Sequence, residues 1–171
     1  MNDSVLVHIL NEALLDEYKA RDTYRKIIDS FGAVRPFVNI VEAEQRHIEA
    51  LLPLYQKYGI SLPPEPDPEQ AVVPDSLIDA CKIGVAAEIE NISMYDRLIA
   101  MTDLSDVIEV LQRLQAASRD NHLPAFQRCV ERGGEMGSGR GAGRRRVSQS
   151  ADDGDACRGT RRRRQGDGID K

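Results

Sequence analysis

Five residues that are expensive to bury recur at helical spacing along the chain: Glu17, Glu44, His47, Glu88 and His122. The stretch "AEQRHIEALLPLYQ", residues 43–56, shows the problem most sharply, because Glu44 and His47 occupy positions on an otherwise apolar stripe. Residues three apart on a helix have Cβ atoms about 5–6 Å apart, so this carboxylate and this imidazole can reach one ion together. Ionisable groups gathered in one buried layer cost several kcal/mol each, roughly, unless they are paired or hold a cation. Two chemistries satisfy that condition. One is coordination of a divalent metal; the other is a metal-free polar network that fixes helix register in a non-catalytic interaction module.

The elements that must position these groups follow from periodicity. Leu6, Leu10, Ala13, Glu17, Ala20, Tyr24, Ile27 and Phe31 fall at alternating steps of four and three, which predicts a helix over 4–31 ended by Gly32. Phe37, Ile40, Glu44, His47, Leu51, Leu54 and Tyr58 predict a second over 36–58, with Gly59 as its stop. "ISLPPEPDPEQAVVPD" holds five of the eight prolines and must be an extended connection. A third helix opens at Ser76, capped with Asp79 three residues on, and presents Leu77, Cys81, Gly84, Glu88, Asn91, Tyr95 and Leu98. The fourth, from about Ser105 to Arg132, presents Ile108, Leu111, Gln115, Ser118, His122, Ala125 and Cys129. Short, long and short connections give two helical hairpins joined by one crossover.

Charge divides the chain. Residues 1–132 carry a net charge of −9 and three of the 13 glycines, whereas residues 133–171 carry +4 and the other ten, against −5 for the whole. The expected organisation is an acidic folded body over 1–132 and a disordered Gly/Arg-rich tail over 133–171. The tail's "GRRR" and "RRRR" could contact phosphates, but the acidic body without interleaved aromatics argues against a nucleic-acid partner. No basic leader and no long apolar run appear, so a cytoplasmic protein with no membrane association is expected. The odd number of cysteines, Cys81, Cys129 and Cys157, argues against a disulfide framework and reads as small core residues in the body.

The chain also repeats itself. "EYKARDTYRKII" from Glu17 and "EIENISMYDRLI" from Glu88 share Glu, Tyr seven residues on, and a closing aliphatic pair, while "EQRHIEA" from Glu44 aligns with "RDNHLPA" from Arg119. Such halves pack about an approximate twofold axis. A Glu from each of two helices with Glu-x-x-His from the other two is the di-iron carboxylate arrangement. On these residues the chain resembles the ferritin-like superfamily, an all-α four-helix bundle. Glu17 and Glu88 match its single-carboxylate helices and "EQRH" matches its Glu-x-x-His, while "DEYKARDTY" and "NIVEAEQRHIEALL" are similar to bacterial members of uncharacterised function. The resemblance implies one or two iron ions, or manganese or another divalent ion, on Glu17, Glu44, His47, Glu88 and His122. It also implies either a ferroxidase- or peroxidase-type oxidoreductase with oxygen or peroxide as reactants, or else an iron-handling role. A homodimer is a further expected partner.

One position departs from the pattern: residue 119 is Arg where the repeat calls for Glu. Four glutamates neutralise two divalent ions, and three leave such a pair under-neutralised. Three glutamates with an inward Arg119 balance one divalent ion. Arg119 therefore turns outward beside a dinuclear site, turns inward beside a mononuclear one, or replaces the metal by pairing with a glutamate. Pro124 removes a hydrogen bond to the carbonyl of residue 120 and can distort the turn holding His122, and a bulge there would bring Asp120 inward. Tyr24 and Tyr95 read as core residues, hydrogen-bond partners of the site or redox-active neighbours. His8, Glu42, Glu49 and Glu90 are expected on the surface, with Asp16, Arg21 and Asp22 as helix-surface charge pairs.

Overall fold

A computed structural model describes residues 3–134, so the expected tail, with Cys157, lies outside the described residues apart from Gly133 and Gly134. Those residues are all-helical, without a strand among them. The elements are α1 (Asp3–Phe31), α2 (Phe37–Tyr58), α3 (Leu77–Ala100), α4 (Ser105–Ala117) and α5 (Leu123–Glu131). A 3-10 turn, Pro68–Gln70, interrupts the long connection between α2 and α3, and a π-helical turn, Ser118–His122, joins α4 to α5 without a break. No described helix is long and apolar enough to cross a membrane.

The boundaries follow local chemistry. Ser76 Oγ accepts the backbone N–H of Asp79 and donates to the Asp79 carboxylate, which satisfies a free amide at the start of α3. Gly59 closes α2 at φ 64°, and Ile60 N–H returns to the Tyr55 carbonyl. A side chain at residue 59 would have to occupy the left-handed region.

α1 packs mainly along α2, and α3 along α4 and α5, with thinner contact between the two pairs. Apolar side chains form two clusters. The first draws on Leu10, Leu14, Leu51, Tyr95, Leu98 and Leu111, and the second on Tyr24, Ile27, Phe37, Cys81, Phe126 and Cys129. α1 and the α4–α5 rod run from the first cluster to the second, whereas α2 and α3 run the other way. The connection between α2 and α3 therefore has to travel the length of the molecule, which is why it is long. Between the clusters every helical rod supplies polar residues to one layer, and that is where the five ionisable residues lie.

Two cysteines correct the sequence expectation. Cys81 of α3 and Cys129 of α5 form a disulfide with Cα atoms 6.0 Å apart. An odd total leaves one thiol over but does not prevent two that face each other across adjacent helices from joining. Arg21 and Asp22 correct it as well, because both are buried rather than on the surface. Arg21 Nε donates to Asp22 Oδ1 at 2.8 Å, and its Nη2 pairs with Glu65 of the crossover. The crossover lies along this side of α1 and covers the pair. Asp16 is likewise half-buried, accepting a hydrogen bond from Asn91 Nδ2 at 2.7 Å. His8, Glu42, Glu49 and Glu90 are exposed, as expected.

Candidate metal centre

Glu17, Glu44, His47, Glu88 and His122 are all brought into the polar layer, each between 2% and 9% exposed. His47 Nδ1 lies 2.9 Å from Glu44 Oε2 and 3.1 Å from Glu17 Oε2. His122 Nδ1 lies 3.3 Å from Glu44 Oε1 and 3.6 Å from Glu88 Oε2. Glu44 thus stands between the two imidazoles, whose rings stack with centroids 5.5 Å apart. One ligand atom each from Glu44, His47 and His122 falls within 4.8 Å of the others, a spacing that fits a shared ion.

The tyrosines complete the arrangement crosswise. Tyr95 of α3 donates to Glu17 Oε1 of α1 at 2.5 Å, and Tyr24 of α1 donates to Glu88 Oε1 of α3 at 3.1 Å. Each half of the repeat orients the carboxylate of the other half, so both tyrosines are buried and serve as hydrogen-bond partners of the site. Seven residues separate tyrosine from glutamate in both helices, so the pair within one helix sits two turns apart and only the neighbouring helix brings them together.

His122 owes its position to the π turn. Pro124 has no amide hydrogen, and the turn just before it widens, with Ser118 and His122 facing inward and Arg119 outward. Arg119 is exposed and donates twice to Asp120, at 2.9 and 3.0 Å. Of the three dispositions open to Arg119, the outward one is realised. The bulge expected from Pro124 is present, but Asp120 stays exposed. Ser118 takes the inward place instead, donating to Asn91 Oδ1 at 2.8 Å, and Asn91 passes the chain on to Asp16.

Electrostatically the layer is a set of acids and bases that hold one another's charge. Burial, and then the adjacent Glu44 carboxylate, push Glu17 up to about 8. Burial acts on Glu44 in the same direction, yet His122 and His47 outweigh it and hold Glu44 down at about 2. Burial opposes the charged imidazoles, but Glu17 and Glu44 raise His47 to about 9, and Glu44 and Glu88 raise His122 to about 10. Burial, followed by the carboxylates beside them, also lifts Tyr24 and Tyr95 well above the usual phenol range. His122 Nδ1 stands apart, since it is buried and aligned with no hydrogen-bond partner among the described residues. Its attraction to Glu44 and Glu88 is one of charge and not of an aligned bond.

Beside the layer, α1, α3 and the crossover enclose a groove of about 970 Å³, reaching Glu17, Glu44 and Glu88 at its floor. Sequence periodicity did not reveal it.

The family model described as "Uncharacterized protein domain (DUF2202)" matches residues 5–73 and 70–149, two segments that meet in the crossover. Uncharacterized protein MJ0754 of Methanocaldococcus jannaschii is 31% identical over 130 residues, covering 67% of this chain and 69% of its own length. A crystal structure of hypothetical protein MJ0754 from Methanococcus jannaschii DSM 2661 superposes with a TM-score of 0.66 at 29% identity, covering 76% of this chain and 82% of that one.

Proposed function

The chain belongs to the DUF2202 family, and we propose that it is a ferritin-like metal-binding protein whose two hairpins hold iron, or a similar divalent ion, in their shared polar layer. The observation that carries this reading is the orphaned Nδ1 of His122, buried between Glu44 and Glu88 while Glu44, His47 and His122 converge within 4.8 Å. A buried nitrogen with no partner normally costs about 1–3 kcal/mol. A cation at the centre of these ligand atoms removes that cost and neutralises the carboxylates. Imidazole and carboxylate together suit iron, manganese or zinc better than the softer thiolate-seeking ions. The antiparallel pairs joined by a long crossover, and the crossed Tyr–Glu bonds, support the ferritin-like assignment.

Glu44, His47 and His122 would form the primary ligand set, flanked by Glu17 and Glu88. With Arg119 outward, three carboxylates serve the layer, and Ser118 and Asn91 occupy the side where the repeat calls for a fourth. When bound, iron supplies redox chemistry of the Fe(II)-oxidising or peroxide-reducing kind. Tyr95 and Tyr24 fix the carboxylates of Glu17 and Glu88, while the imidazoles give up protons as they become ligands. The groove gives a small oxidant access to the carboxylate floor. A metal-free polar module is the competing reading, favoured by the closeness of His47 Nδ1 to two carboxylates.

Elemental analysis of the purified chain separates the two. We expect about one to two equivalents of bound divalent metal, reduced at least tenfold in occupancy by His122→Ala and by His47→Ala. A chain that stays metal-free, with a melting temperature unmoved by added Fe(II) or Mn(II), would establish the polar module instead.

A further inference from the structure

The bridge between Cys81 and Cys129 is the outer rung of a ladder that ends at the polar layer. Three pairs face each other in register along the antiparallel helices α3 and α5: Cys81 with Cys129, Gly84 with Phe126, and Glu88 with His122. The middle rung sets the Phe126 ring against the bare Gly84 backbone, and the inner one holds His122 Nδ1 3.6 Å from Glu88 Oε2. Each rung lies three or four residues beyond the last on both helices, so all three share one face. The first half of the repeat has the same ladder without the bond. Taking Glu17 for Glu88 and His47 for His122, the matching positions are Ala13 with Leu51 and Leu10 with Leu54, all buried and apolar.

Packing therefore suffices on the first side, where α2 is one helix of 22 residues and carries His47 in its interior. On the other side His122 stands at a junction. It closes the π turn, and α5 beyond it has nine residues. Helices shorter than about 12–15 residues are marginal without tertiary support. α5 takes that support from α3, and the bridge fixes it there covalently. The two sulfurs are sealed, with Cys81 0% and Cys129 1% exposed, yet they lie near an end of the bundle. Cys129 stands two residues before the last of α5, and the Gly134 amide that closes this end donates to its carbonyl at 3.0 Å. Opening the last turn of α5 exposes the bridge without unfolding the layer.

We propose that the Cys81–Cys129 pair is a redox switch acting on the layer through α5. Oxidised, it seats α5 on α3 and holds His122 between Glu44 and Glu88; reduced by a small dithiol, it loosens α5 and lets His122 withdraw, while His47 keeps its place. Reduction proceeds by two thiol–disulfide exchanges: the bridge gains two electrons and two protons and becomes two thiols, and the dithiol closes to a cyclic disulfide. The displacement of His122 is a property of the chain alone. Its consequence for metal affinity rests on the reading of Glu44, His47 and His122 as ligands.

The test takes metal-free full-length chain, with Cys157→Ser so that the third thiol cannot exchange with the bridge, before and after dithiothreitol. Reduction should move the His122 ring signals more than those of His47, and should quicken amide exchange in α5 at least roughly tenfold more than in α2, with helical circular dichroism kept. Re-oxidation should restore both. Dithiols bind metals themselves, so affinity for Mn(II) is measured by calorimetry without reductant on Cys81→Ala combined with Cys129→Ala, which should bind at least roughly tenfold more weakly than the bridged chain. A bridge that resists dithiothreitol short of unfolding, His122 signals unmoved by its reduction, or exchange quickened equally in α2 and α5 would each overturn the proposal and leave the bond a plain staple. Equal Mn(II) affinity with and without the bridge would overturn it as well. Mn(II) bound by neither form would overturn the metal reading instead, and the His122 signals and α5 exchange then decide the switch by themselves.

Discussion

Raising the pH should tighten metal binding while loosening the metal-free fold. An imidazole must give up a proton before its nitrogen can ligate, and His47 and His122 hold theirs up to about 9 and about 10. At pH 7 those protons oppose binding by about two and three powers of ten, one power for each pH unit below the group's own value. Apparent affinity should accordingly climb about a hundredfold per pH unit between pH 6 and 7. The metal-free protein moves the other way. Groups whose folded values are raised stabilise the fold fully below their unfolded values and lose that contribution as pH rises through the folded ones, here from about 6.5 to about 10 for the histidines. Calorimetric titration with Mn(II) in two buffers of different ionisation enthalpy counts the protons released, and denaturant melts of the metal-free chain follow the second trend. Release of less than one proton per ion, or an affinity flat from pH 6 to 8, would refute the arrangement of charge described above.

Four other outcomes are expected. Arg119→Glu should leave metal stoichiometry unchanged, since position 119 faces solvent and pairs with Asp120; elemental analysis checks it. Tyr95→Phe and Tyr24→Phe should each cost about 1–3 kcal/mol by chemical denaturation, because each strips a hydrogen bond from a buried carboxylate. Replacing Cys81 and Cys129 together by Ser should lower stability by about 2–4 kcal/mol, as the bridge closes a loop with a sequence separation of 48, and reducing agent should lower the melting temperature of the parent but not of the variant. Gly84→Ala would place a Cβ 2.7 Å from the Phe126 ring, so a loss of about 1–3 kcal/mol is expected in the same denaturation assay.

The helices and the polar layer were legible because a period near 3.6 is written directly into residue types. Glu17, Glu44, His47, Glu88 and His122 stand out on apolar stripes, and the structure gathers all five. What escaped lies between elements. The crossover's course is not periodic, so the burial of Arg21 and Asp22 beneath it, and the groove it helps to enclose, left no mark on the helical pattern. The Cys81–Cys129 bond depends on which helices face each other, which a count of cysteines does not carry. Pro124 did announce the widened turn before it, but the bulge does not bring Asp120 inward; Ser118, already on the predicted stripe, stays buried and donates to Asn91 on α3. The partnership of the tyrosines was open for the same reason, since spacing alone placed each near its own helix's glutamate.

That crossed partnership bears on ancestry. A solitary hairpin of this kind would own an acid with no phenol to steady it and a phenol with no acid to serve. Only by meeting a twin could it finish the exchange now made within one chain, so the simplest progenitor is a hairpin that worked as a pair before duplication joined the two copies. Residue 119 departs from the repeat without touching the exchange, because its side chain faces solvent and pairs with Asp120.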